Sequence, residues 1–242
     1  MASNQKTVIV TGASQGIGAV VVNAFLEHGY NVVGTSRSAT KSPELKTSEK
    51  LVLVDGDIGQ ADTAQKVVDA AIQKFGTIDA VVNNAGIFVA KPFVDYTAED
   101  LRSLVATNIE GYIYLTQLAV KQMLAQKSGG SVVAITTSLV KNPVYGVPAS
   151  VQMVTKGGLE ALTISLALEY AKEHIRFNAV APGPVDTPLH KDNPKEFLRT
   201  LSPMGTISSS EDIANAVVYL TEANQITGEV LHVDGGAHNG KW

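Results

Sequence analysis

The stretch Val8-Ile9-Val10-Thr11-Gly12-Ala13-Ser14-Gln15-Gly16-Ile17-Gly18 decides the fold. It reads as a buried strand, a glycine-rich turn and a helix start. Gly12 allows a tight turn, Gly16 lets the backbone approach a pyrophosphate, and Gly18 permits close helix–sheet packing. The helix N-terminus that follows offers free N–H groups and the positive end of its dipole to phosphates. The spacing is G-x-x-x-G-x-G rather than G-x-G-x-x-G. Its position after the first strand of a βαβ unit is what gives it weight.

Outward from this stretch, short runs rich in Val and Ile alternate with amphipathic segments. Residues 7–10, 31–35, 51–54, 80–83, 131–136, 176–181 and 229–233 read as strands. They do not alternate with polar residues, which fits strands buried on both faces of a parallel sheet. Helical periods fall at about 16–28, 62–75, 97–126, 149–173 and 210–222. Thr97-x-x-Asp100 and Ser208-x-x-Glu211 are capping-box patterns at two of the helix starts. Strict β/α alternation predicts an α/β fold with a doubly wound parallel sheet of about seven strands. No linker divides the chain, so residues 1–242 are expected to form one domain. The proline-rich stretch 182–203 follows a strand at the carboxyl edge of the sheet and reads as a lid or substrate loop.

Composition narrows the function. The chain has 242 residues, no cysteine, a formal net charge of −4 and 45% hydrophobic residues. That content excludes intrinsic disorder. Mild acidity with scattered Lys and Arg argues against a nucleic-acid partner. Without cysteine there is no disulfide, thiolate zinc site or thiol chemistry. The five histidines, His28, His174, His190, His232 and His238, have no helical metal spacing backed by carboxylates, so no metal site is expected. The start lacks a basic leader and a long apolar core, and no apolar run reaches the length of a membrane span. A cytoplasmic location is therefore expected.

The motifs T-G-x-x-x-G-I-G from Thr11, Asn83-Asn84-Ala85-Gly86 and T-N-x-x-G around Asn108 recur in one known arrangement. So do Pro182-Gly183-Pro184-Val185-Asp186-Thr187 and Ile226-Thr227-Gly228 leading to Val233-Asp234-Gly235-Gly236. In their order and over essentially the whole chain they resemble the short-chain dehydrogenase/reductase family. The resemblance implies a Rossmann-type fold, a nicotinamide cofactor, and hydride transfer between that cofactor and a small carbonyl or alcohol substrate. It implies that Gly12, Ser14, Gln15, Gly16, Ile17 and Gly18 line the pyrophosphate, and that Asp57 and Ile58 contact the adenine. Asn84, Ala85 and Gly86 would pack beside the cofactor ribose. Pro182, Gly183, Val185 and Thr187 would hold the nicotinamide end. Helices corresponding to 97–126 and 149–173 pair between subunits in related proteins, which implies a homodimer or homotetramer. The C-terminal run from Val230 to Trp242 is a candidate second interface.

Cofactor choice follows from charge at the end of the second strand. An acidic residue there would bind a ribose 2′-hydroxyl and repel a 2′-phosphate. Gly34-Thr35-Ser36-Arg37-Ser38 carries none, and Arg37 suits a phosphate, so NADP(H) is expected over NAD(H).

The family's catalytic set is Asn, Ser and Tyr-x-x-x-Lys. Positions i and i+4 share a helix face, so the ammonium lowers the phenol pKa and the Tyr relays a proton. Here Asn108 and Lys156 match, but four residues before Lys156 stands Gln152. No tyrosine has a lysine four positions on, and Tyr145 is the nearest upstream. The hydroxyl is Ser138 or Thr137; counting from Lys156 favours Ser138. A carboxamide orients a carbonyl or a water but does not titrate near neutral pH. Three readings stay open. The chain is an NADP(H)-dependent oxidoreductase with water, Lys156, Tyr145 or His190 supplying the proton; or it binds the dinucleotide with little turnover; or its pocket performs a non-redox reaction.

Overall fold

The computed structural model describes residues 5–240. Met1 to Asn4, part of the start read for a leader, and Trp242, expected at a second interface, lie outside the described residues.

Among the described residues, seven strands are β1 (Thr7–Thr11), β2 (Asn31–Ser36), β3 (Leu51–Asp55), β4 (Ala80–Asn83), β5 (Gly130–Ile135), β6 (Ile175–Pro182) and β7 (Val230–Val233). All pair in parallel, in the order β3-β2-β1-β4-β5-β6-β7. The order reverses between β1 and β4, the switch point at which such sheets bind ligands beyond the strands' carboxyl ends. The helices are α1 (Gly16–Glu27), α2 (Ala61–Phe75), α3 (Ala98–Val105), α4 (Gly111–Gln126), α5 (Ser150–Glu169), α6 (Lys195–Thr200) and α7 (Ser210–Glu222). One core, with Val67, Leu115, Leu159 and Phe177, lies under α2, α4 and α5. The other, with Phe25, Val32, Ile213 and Leu220, lies under α1 and α7. Among the described residues no helix is long and apolar enough to cross a membrane.

Three expectations need correction. The single period over 97–126 is three pieces, because a π-helical turn at Ala106–Glu110 separates α3 from α4 and carries buried Asn108. The long period ending at 173 stops as α5 at Glu169, followed by a 3₁₀ turn. The second capping box is Ser209 with Asp212, not Ser208 with Glu211. Ser208 is held elsewhere: its N–H donates to Pro184 O at 3.1 Å, and its carbonyl accepts from Asp186 N at 2.9 Å. The apolar side chains of α3, α4 and α5 divide between core and surface. Leu104, Leu115 and Leu159 are buried, whereas Leu101 is 46% and Leu168 78% exposed because they sit on outward faces of α3 and α5. Ser209→Ala is expected to cost about 1 kcal/mol and lower Tm by about 2–4 °C in a thermal melt, since both halves of the box are made.

Candidate active site

The carboxyl ends of β1, β4 and β6 bring three distant segments together. Thr11 closes β1, and its hydroxyl accepts the N–H groups of Asn84 at 3.1 Å and Ala85 at 2.9 Å. The Asn84 carboxamide donates to Thr11 O at 2.9 Å and Gly12 O at 3.3 Å. Thr11 thus ties the glycine turn to the segment after β4, a role its sequence context did not signal. A Cβ on Gly12 would lie 2.7 Å from Asn84 Nδ2, and Gly12 has φ +67°. Only glycine fits there. The Gly16 backbone approaches Thr187 and Pro188, whose side-chain carbons would lie 3.4 Å from an added Cβ. Val185 is buried, bridged to Ser208. Gly183 N donates to Val233 O at 3.1 Å, fixing the end of β6 at Pro182 against β7. The α1 N-terminus has no side-chain cap: Gln15, with Ser14 before it and Ile17 after, leaves its first N–H groups free. The bare turn, the uncapped helix and the converging segments fit a dinucleotide pyrophosphate.

Of the pair expected beside the adenine, Asp57 is exposed, its Oδ1 accepting from Gly59 N at 3.0 Å, and Ile58 is buried. Arg37 is exposed and, among the described residues, makes no side-chain hydrogen bond or ion pair. Reading β2 alone missed Asp55, which the register places opposite Ser36. Its carboxylate is engaged: Thr40 donates to it through N–H at 2.9 Å and hydroxyl at 2.5 Å, holding it below the usual carboxylate range. Ser42 Oγ donates to Ser14 O at 2.6 Å. The loop after β2 is therefore tied to both β3 and the glycine turn.

Lys156 lies beneath Gly86. It is 8% exposed, and its Nζ donates to Ile135 O at 2.7 Å. Burial pushes its pKa down from 10.5 to about 8. A Cβ on Gly86 would meet Lys156 Nζ at 3.1 Å and Asn108 Oδ1 at 3.3 Å. Gly86 itself is exposed, so the cleft opens directly above the amine. Asn108 Oδ1 accepts from Ile87 N at 2.9 Å, and its Nδ2 donates to Ile87 O and to Thr155 Oγ1. A cavity of about 10 Å³ beside Asn108, Thr11 and Asn83 is about the space of one water. Ser138 is buried at the start of a 3₁₀ turn, and its hydroxyl has no partner among the described residues. Thr137 Oγ1 instead accepts from Leu139 N at 3.4 Å.

Gln152 shares the buried face of α5 with Lys156 but is 0% exposed. Its Nε2 donates to Ile87 O at 3.0 Å. Tyr145 is fully exposed in the turn before α5. His190 pairs with Asn193 in the surface turn after Thr187.

A family model described as enoyl-(acyl carrier protein) reductase matches residues 12–238. The chain belongs to the short-chain dehydrogenase/reductase family. L-rhamnose 1-dehydrogenase (NAD(P)(+)) of Sphingomonas sp. (strain SKA58) is 33% identical over 247 aligned positions, covering 96% of each chain. The 3α-hydroxysteroid dehydrogenase of Mediterraneibacter gnavus is 35% identical over 252 positions, covering 99% of each. The Brucella melitensis 3-ketoacyl-(acyl-carrier-protein) reductase complexed with NADH superposes with a TM-score of 0.90 at 28% identity, over 96% of this chain and 98% of that one. These short-chain dehydrogenase/reductase relatives are named for a sugar, a hydroxysteroid and a ketoacyl-carrier substrate.

Proposed function

We propose that this chain is an NADP(H)-dependent oxidoreductase acting on a small carbonyl or alcohol substrate. The observation that carries the reading is the convergence of residues 12–18, 84–86 and 185–187 at one sheet edge, above Lys156 and Asn108. When bound, the nicotinamide would supply or accept the hydride. The glycine turn and uncapped α1 hold the pyrophosphate, and Ile58 with Asp57 flanks the adenine. Asn84, Ala85, Gly86 and Lys156 hold the ribose, and Pro182 to Thr187 orient the nicotinamide end. Ser138 binds the substrate oxygen, its hydroxyl being unengaged where that of Thr137 is used. Gln152 stands where the family pattern has Tyr.

A second reading is dinucleotide binding with little turnover. It is favoured by the full burial of Gln152, which presents no titratable group to the cleft. Loss of a positioned acid lowers rates by about 10²–10⁴-fold. Oxidation of NADPH by a panel of sugars, hydroxysteroid ketones, aldehydes and diketones separates the two readings. Absence of NADPH binding overturns both.

Arg37 is exposed and makes no side-chain hydrogen bond or ion pair among the described residues, and Asp55, opposite the preceding Ser36, is engaged by Thr40. NADPH is therefore expected to bind at least about tenfold more tightly than NADH, and Arg37→Ala to remove most of that difference. Fluorescence titration of both cofactors is the check. Equal affinities in the parent chain rule out the 2′-phosphate assignment.

The assembly belongs to the same proposal. Val154, Ile164 and Leu168 on α5 are 68%, 52% and 78% exposed, which supports a homodimer or homotetramer built on that helix.

A further inference from the structure

The segment Ile87 to Val89 follows the Asn84-Ala85-Gly86 turn and lies in no strand or helix. Its backbone polar groups find partners in side chains instead. Ile87 N donates to Asn108 Oδ1 at 2.9 Å, and Ile87 O accepts from Asn108 Nδ2 at 3.2 Å and Gln152 Nε2 at 3.0 Å. Val89 N donates to Gln152 Oε1 at 3.4 Å, and Val89 O accepts the Tyr96 hydroxyl at 2.6 Å. The two carboxamides meet at Ile87 O, which accepts from both, and Thr155 Oγ1 accepts from Asn108 Nδ2 and donates to the main-chain O of Gln152 at 3.0 Å.

We propose that Gln152 is a positioning residue that holds the Ile87–Val89 wall of the cleft, and through it the placement of Gly86 over Lys156. A carboxamide carries a donor and an acceptor in one plane. That pair matches a carbonyl and an N–H two residues apart, as a neighbouring strand would. Tyr96 ties the same segment from its other side. The wall continues directly from the turn beside the proposed ribose position, so its geometry sets cofactor affinity and substrate approach. A phenol at position 152 is larger than the fully enclosed carboxamide and cannot offer its paired donor and acceptor to Ile87 O and Val89 N. Gln152→Tyr then releases the wall as it introduces an acid.

The proposal rests on the nicotinamide reading only for its binding readout, and Gln152→Glu tests it. A protonated carboxyl donates to Ile87 O and accepts from Val89 N, as the amide does. An ionised one cannot donate and faces the Ile87 carbonyl with charge. The nearby ionisable groups are Lys156 one turn along α5, Tyr96 beyond Val89, and the Lys91–Asp100 pair beside the Tyr96 ring. All are shared with the parent chain, so the ratio of variant to parent Kd at each pH isolates the substituted residue. For NADP⁺ by calorimetry, that ratio is expected near 1 at pH 5 and about tenfold or more at pH 7.5. Gln152→Ala is expected to be weak at both pH values. Tyr96→Phe leaves α5 untouched and is expected to weaken binding about threefold or more. Amide hydrogen exchange at residues 87 to 89 provides a readout independent of the cofactor. Protection there is expected to fall in Gln152→Ala, and in Gln152→Glu only at the higher pH. A pH-independent ratio with unchanged exchange overturns the proposal. A parent chain that binds no NADP⁺ but loses protection as described overturns the cofactor reading alone.

Discussion

Gly18→Ala is expected to abolish nicotinamide dinucleotide binding. The added methyl carbon would stand 2.1 Å from Gly12 O, 2.7 Å from Gly12 C and 2.6 Å from Asn84 Nδ2. Two of those atoms are backbone, and the third is fixed by bonds to Thr11 O and Gly12 O. Nothing flexible is available to give way, so either α1 lifts from β1 or the turn at 84–86 is unseated. Both break the cradle for the phosphates. Overpacking of this kind costs about 1–3 kcal/mol or more in stability. An affinity loss of about 100-fold or greater follows, because each ångström of displacement removes N–H donors from the anion. The comparison variant is Gly76→Ala, at the C-terminal end of α2. Its φ is +79° but an added Cβ meets nothing within 4 Å. It is expected to cost about 1 kcal/mol of backbone strain and leave binding unchanged. NADPH titration with a thermal melt separates the two. Binding within threefold of the parent in Gly18→Ala rules out a pyrophosphate on this turn.

The strands were legible because a parallel sheet covered on both faces needs uninterrupted apolar runs. Each of the seven strands ends within one residue of its apolar run. The sheet order is not carried by such runs, and the same limit hid Asp55. Its place opposite Ser36 depends on pairing between β2 and β3, which neither strand encodes alone. Local ambiguity explains the capping box. Ser208 and Ser209 each have an acidic residue three positions on, and only the bridge from Val185 to Ser208 decides between them. The break at Ala106–Glu110 was illegible because a π turn keeps helical backbone dihedrals on both sides and needs no breaker residue, and this one contains neither glycine nor proline. At the site, the shared helix face of Gln152 and Lys156 followed from their spacing. The destination of the Gln152 amide did not, since it answers to the unpaired backbone of a segment over 60 residues away.

Lys156→Met is expected to separate stability from function in opposite directions. Burial holds the amine near pKa 8 against an ordinary 10.5, with no carboxylate to compensate. A shift of that size corresponds to about 3 kcal/mol by which charging the folded state is disfavoured. Between pH 8 and 10.5 the unfolded chain retains the proton that the folded chain has released, so this group makes stability rise with pH across that window. Below pH 8 the full cost is present. Methionine removes it but also removes the bond to Ile135 O, worth about 1 kcal/mol, leaving a net gain of about 2 kcal/mol at pH 7. The advantage over the parent chain should shrink as pH approaches 10.5, which denaturant titrations at pH 7 and 10 read directly. A difference that does not change with pH means the amine is not desolvated in the fold. Function moves the other way. The amine below Gly86 puts a positive charge at the proposed ribose position, so NADP(H) affinity is expected to fall about tenfold and turnover about 100-fold or more. Retained affinity with the stability gain would make Lys156 a buried structural lysine and move the ribose contact elsewhere.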